Sequence, residues 1–422
     1  MHRKLSVVLA VVVLAGCNAT TGTTPPPAPS GVTPATASPI ASSSVSPSPL
    51  ASPAASAAPT PAPSPSSSAA LHGWVERASF PGESLDVLLP GGPGLIAAGS
   101  RESTGAGDPG DALVRLSADG STWRQAVVEG SSGGSIHAIR RLNGTYVALG
   151  TRNMGDLDLR GVVWTSPDTE RWALVATFPL LVPQDIVEAD GHLLAWGTGG
   201  WTEPHGLFVW TLADVGRWGT ARQIDAFDEA FLAHGVIGTT RGFLVFGNRG
   251  RVIPAMAARI FVATSADGLT WRFAPAQPSL ERAAFEAVVE RPDGYLAVGW
   301  ALAADGSGVA AVWRSVDGLT WDRTLDTSGL TGGRLVRATV SDDRFLVRGT
   351  IDAGKTTRAV SWESLDGVHW TLLPLGADIP DLTGTMPSDP LAFGGTRVAV
   401  ATVDDGSSST RAVVFVEGSV LP

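Results

Sequence analysis

Seven tryptophans stand on one lattice: Trp74, Trp123, Trp172, Trp218, Trp271, Trp321 and Trp370, separated by 49, 49, 46, 53, 50 and 49 residues. An aspartate stands four residues before each of the last six, at Asp119, Asp168, Asp214, Asp267, Asp317 and Asp366. A unit recurring every ~50 residues is one supersecondary element that buries its apolar faces only by stacking on its neighbours. The fullest copies are SADGSTW (Ser117 to Trp123), SADGLTW (Ser265 to Trp271), SVDGLTW (Ser315 to Trp321) and SLDGVHW (Ser364 to Trp370). Weaker ones, SPDTERW and LADVGRW, end at Trp172 and Trp218. The Asp-Gly pair predicts a two-residue type I′ hairpin, which needs positive φ at both central positions.

A second marker lies about midway between the boxes, in LIAAG, YVALG, LLAWG, FLVFG, YLAVG and FLVRG, ending at Gly99, Gly150, Gly197, Gly247, Gly299 and Gly349. These read as short apolar strands, with turn pairs such as Asn143-Gly144, Asp190-Gly191 and Asp293-Gly294 just ahead of several of them. A variable loop follows, then a third strand such as GVVWTS or AAVWRS, then the box and a fourth strand from the tryptophan. Four antiparallel strands per ~50 residues make one propeller blade. The expected fold is therefore all-β, a seven-bladed β-propeller over residues 71–422. The last repeat ends after the strand AVVFV (Ala412 to Val416), while GWVERASF (Gly73 to Phe80) looks like a fourth strand without a blade. Joining the two closes the ring and removes its open edges. Six blades with an unrelated N-terminal strand is the alternative count.

The boxes resemble the Asp-box, or BNR, repeat of sialidase-type propellers, which runs Ser/Thr, any, Asp, any, Gly, any, any, Trp. Here glycine follows aspartate directly, one residue short of that pattern. In such blades the box turns share one face with the first hairpins. Ligand sites use the opposite face and the central channel, so the box aspartates and tryptophans read as structural, with the carboxylates holding turn amides. Sialidases act through an arginine triad, a tyrosine nucleophile assisted by glutamate, and an aspartate acid/base. The two tyrosines of this chain, Tyr146 and Tyr295, occupy the repeat position that holds Phe243 and Phe345 in other blades and so read as blade core. The arginine motif is matched only faintly, by Arg251 to Pro254.

The N-terminus carries an address. Arg3 and Lys4 precede an apolar run, Leu5 to Leu14, and then Leu14-Ala15-Gly16-Cys17. The run is short for a membrane span, which takes about 20 residues. It resembles a bacterial lipoprotein signal, which implies cleavage after residue 16 and lipid on Cys17, the one cysteine of the chain. Two or three acyl chains hold a protein at a membrane stably. From 17 to 70 the chain is rich in Pro, Ser, Thr and Ala, with no acidic residue before residue 71, and reads as a disordered tether. Without residues 1–16 the chain has 40 acidic against 28 basic side chains, a balance that disfavours nucleic acid. The expected location is extracytoplasmic, at the cell surface of a bacterium.

The best sources of a ligand site are loops on the second face. One offers Trp201, Glu203 and His205, an aromatic beside polar groups; its neighbour offers Arg249 and Arg251, suited to a carboxylate. The histidines show no metal-ligand spacing, and no cofactor motif sits in its proper strand-to-helix context. No metal and no cofactor is expected. The functional expectation is a monomeric, non-catalytic binding or scaffolding propeller for a protein or carbohydrate partner at the cell envelope. The alternative is a sialidase-type glycoside hydrolase with an unrecognised active site.

Overall fold

A computed structural model describes residues 72–103, 110–153, 155, 158–199, 206–212, 217–227, 231–249, 259–324, 328–330, 332–404 and 409–419. The segments read as signal (1–16) and tether (17–70), with Cys17, lie outside them, as do Trp201, Glu203, His205, Asp214 and Arg251. Ser67–Pro422 is one compact unit.

The chain is a seven-bladed β-propeller of antiparallel four-stranded blades. Blade 1 runs from Glu83 to Gln125, blade 2 from Gly134 to Pro179, blade 3 from Leu181 to Gln223 and blade 4 from Phe231 to Phe273. Blade 5 runs from Ala283 to Thr324 and blade 6 from Gly333 to Leu372. Blade 7 takes three strands between Leu391 and Ser419, and its fourth is His72–Pro81, paired antiparallel with Thr410–Ser419. The N-terminal strand thus closes the ring, as expected, and the count is seven. The first strands of blades 1 to 6 lie each against the next, and that of blade 7 lies against blade 1, so these strands form the inner wall.

Each of the five described boxes is a compact hydrogen-bonded turn. In blade 4, Ser265 Oγ accepts from Gly268 N at 2.8 Å, and Asp267 Oδ1 accepts from Leu269 N and Thr270 N at 2.8 and 2.7 Å. Trp271 Nε1 then donates to Gly268 O at 3.1 Å. This corrects the expected type I′ hairpin. Only the glycine has positive φ, +75° at Gly120 and +72° at Gly268; the preceding aspartates do not. The carboxylate holds the turn through two amides, so left-handed backbone is needed at one position alone. True positive-φ pairs occur at the first hairpins, Asn143-Gly144 (49°, 83°) and Asp190-Gly191 (47°, 74°).

The repeat glycines answer a different demand. At Gly247 an added Cβ would lie 2.0 Å from Leu232 O; at Gly99 and Gly349 the contacts are also 2.0 Å, to Ser84 O and Arg334 O. The cause is a β-bulge at one register in the first strand of blades 1 to 6. The bulge bends the strand and brings a carbonyl over the second strand.

Apolar packing lies between blades. Six clusters span the 1/2, 2/3, 3/4, 4/5, 5/6 and 7/1 boundaries, and each takes in the box tryptophan of its second blade. Tyr146 and Tyr295, each 5% exposed, are core members like Phe243 and Phe345.

Candidate functional site: a cleft on the loop face and a polar ring in the channel

Of the five ligand-face candidates, Arg249 alone is described. It ends the second strand of blade 4, in register with Arg259 on the third. Both arginines line a cleft of about 210 Å3 together with Phe261, Phe273, Pro275 and Gln277. Phe261 and Phe273 meet at 4.9 Å between ring centroids, within an aromatic group that also includes Phe227 and Phe231. The link to blade 5 makes the far wall and is held in place by its own polar contacts. Gln277 donates to Leu319 O at 2.7 Å and accepts from Trp321 N at 2.8 Å, and Ser279 Oγ donates to Trp321 O. Arg259 is paired with Glu281 on that link at 2.5 Å. The cleft therefore combines an apolar, aromatic floor with guanidinium groups, a setting that suits a ring-sized group bearing a negative charge.

The second concentration of polar groups was not singled out from the sequence. The extra residue of each bulge is Asp86, His137, Gln184, His234, Glu286 or Val336 in blades 1 to 6. Each stands thirteen residues before its repeat glycine, a regularity readable in the sequence once the bulge is known. On the inner wall these residues form a ring of mostly polar side chains. Two histidines serve the neighbouring blade: His137 Nε2 donates to Pro183 O at 2.8 Å and His234 Nδ1 to Phe285 O at 3.0 Å. In blade 6, whose bulge residue is Val336, Arg337 donates instead to Pro387 O at 2.6 Å.

The acids of this wall are matched by cations on adjacent strands. Arg140 donates to Asp185 at 2.5 Å, and Arg334 stands 4.0 Å from Glu286. Burial pushes the Asp185 and Glu286 carboxyls up, against the opposing pull of Arg140 and of His234 with Arg334. Asp86 keeps contact with solvent inside the ring, yet the protein around it still raises its carboxyl. Burial pushes the His137 imidazole down, favouring its neutral form. Among the described residues no three of His, Cys, Asp and Glu come together as a metal site.

The box aspartates are set apart from this chemistry. Backbone amides hold Asp119 and Asp267 down at about 2, leaving them ionised hydrogen-bond acceptors at any ordinary pH. Tyr146 is similarly engaged, its hydroxyl accepting from Gly92 N of blade 1 at 3.3 Å.

No protein-family model and no curated protein sequence matches the chain. Solved structures do. An ancestral GH74 enzyme aligns over 81% of this chain and 49% of its own, at 13% identity and a TM-score of 0.50. A prolyl endopeptidase aligns over 81% of this chain and 50% of its own, at 9% identity and 0.47. An α-L-arabinanase of Penicillium chrysogenum, complexed with arabinobiose, aligns over 66% and 91%, at 13% identity and 0.39. The chain spans about half the length of the first two. The likeness is one of fold.

Proposed function

We propose that the chain is a membrane-anchored, extracytoplasmic binding propeller that receives an acidic group of a protein or glycan partner on its loop face. The observation that carries this reading is the cleft in which Arg249 and Arg259 border the Phe261 and Phe273 rings. A non-catalytic role accords with how the reactive side chains are used. Both tyrosines belong to the blade core, the five described box aspartates hold turn amides, and two channel histidines hold backbone carbonyls. The anchor is read from the lipoprotein-like start of the chain, and its Asp-box likeness supplies the propeller frame on which loops vary.

Cross-linking on intact cells, followed by recovery of the chain, should give a recurring protein or glycan partner, and Arg249→Glu should remove it while the fold stays intact. Steady turnover of fluorogenic sialosides by Ser67–Pro422 would overturn the non-catalytic reading in favour of a glycoside hydrolase. The anchor is tested separately: Cys17→Ala should move the protein from the membrane fraction to the soluble one.

A further inference from the structure

Among the described residues, an apolar cluster spans six of the seven blade boundaries; the boundary between blades 6 and 7 is spanned instead by an ion network. Arg348 occupies the position of the second strand where blades 1 to 5 place Ala98, Leu149, Trp196, Phe246 and Val298. Its side chain is 6% exposed, as is that of Asp378 on the link to blade 7. Arg348 Nε and Nη2 donate to the two Asp378 oxygens at 2.6 and 3.2 Å, and Nη1 donates to Asp389 at 2.8 Å. Ser361 Oγ adds a bond to Asp378 at 2.7 Å. From blade 7, Arg397 approaches Asp378 at 3.3 Å and pairs with Glu417 through both oxygens, at 2.8 and 2.7 Å. Trp74 of the closing strand, the seventh tryptophan of the lattice, lies beneath the Arg397 guanidinium at 5.4 Å and belongs to none of the apolar clusters.

We propose that the ring is built to open at this one seam, with blade 7 and its closing strand parting from blade 6 while remaining on blade 1. A buried ion network gains Coulomb energy but loses hydration, so its net contribution to holding two surfaces together is small. An apolar seam contributes in proportion to the area it removes from water. The side of blade 7 that faces blade 6 carries Ala399, Ala401, Val413 and the half-buried Phe415, alternating with the residues of the 7/1 cluster, and buried Ile379 of the link stands beside Asp378, yet these join no apolar cluster of the kind that spans the other boundaries. On its other side blade 7 has that cluster and the direct chain connection Pro81-Gly82-Glu83, with Gly82 N donating to Thr410 O at 2.8 Å. Local opening follows the boundary with the least apolar contact. That boundary is 6/7, not the one beside the closing strand.

The test is native-state thiol labelling of the full-length chain with Cys17→Ala, so that a single introduced cysteine is the probe. Ala359→Cys reports seam 6/7, Ala263→Cys seam 3/4, Ala148→Cys seam 1/2 and Ala97→Cys seam 7/1; each alanine is 2% exposed or less. The Ala359→Cys probe should react with iodoacetamide about tenfold or more faster than the other three. Adding Arg348→Leu with Asp378→Leu, which leaves Arg397 on Glu417 and Asp389 near Arg337, should slow it to their rate. Equal rates at all four probes overturn the proposal, and so does a fast Ala97→Cys probe, which would place the opening at the closing blade's other side. An unchanged rate in the double variant removes the ion network as its cause. If the double variant does not fold, the four-probe comparison decides alone.

Discussion

His137 of blade 2 donates its Nε2 proton to the carbonyl oxygen of Pro183 in blade 3 across 2.8 Å. That carbonyl stands immediately before the bulge of its strand, where the ladder is interrupted and an acceptor is left over. His234 and Phe285 repeat the arrangement two blades on. The bulge thus creates an orphan acceptor on the inner wall, and the bulge residue of the preceding blade satisfies it.

His137→Ala should destabilise the propeller by about 1–3 kcal/mol, the cost of a buried carbonyl left without a donor. Urea midpoints would show it. The pH dependence has a definite sign. Burial lowers the folded-state pKa of this imidazole below its ordinary value of about 6.5, so protonation favours the unfolded chain. The stabilisation is complete above that ordinary value and is lost as pH falls from it toward the folded pKa. In that window His137→Ala should flatten the fall of the urea midpoint; an unaltered slope would count against the assignment.

Gly247→Ala should cost about 2–3 kcal/mol, because its Cβ would meet Leu232 O at 2.0 Å and neither backbone can retreat without breaking the ladder. Gly308→Ala is the contrast. A Cβ there meets nothing within 4 Å and φ is not positive, so the change should be neutral or stabilising by up to about 1 kcal/mol. Thermal unfolding of the pair separates close approach from mere loss of flexibility.

The Asp267 carboxyl lies at about 2, held down first by the amides of Thr270 and Leu269. Its contribution is present above the unfolded carboxylate value of about 4 and disappears as pH falls through about 2. Asp267→Ala should therefore lower the melting temperature near neutral pH while having little further effect near pH 2. A difference that persists undiminished in acid would sink the account of the box as an ionised turn clamp.

Arg348→Ala leaves Asp378 buried without its bidentate partner and should cost about 3–5 kcal/mol. Arg348→Leu combined with Asp378→Leu removes both charges and should cost much less. Comparing their denaturant midpoints tests whether this network supplies stability or only consistency of charge.

Much of the architecture was legible because it repeats. Spacing located the boxes, the apolar second strands and the strand His72–Pro81 that closes blade 7, since each is a local pattern copied along the chain. The box geometry was read less well. An Asp-Gly pair predicts left-handed backbone at both residues, but the Asp267 carboxylate, by taking two amides, removes the need at its own position. Of the candidate site, Arg249 was legible as a loop-face cation. Its cleft partners Phe273 and Gln277 were not, because they come from the fourth strand and the following link.

By itself the sequence determined the repeat, the number of turns and the order of strands, because these rest on local chemistry: tryptophans, Asp-box turns and alternating apolar residues. Only the tertiary structure decided what happens between blades. The bulge ring, the histidines on neighbouring carbonyls and the ionic seam of Arg348 with Asp378 all join residues from separate repeats. Their meaning depends on which face turns toward which neighbour. An arginine in FLVRG reads as a lapse in an apolar strand until the fold sets an aspartate, from a link thirty residues on, against its guanidinium.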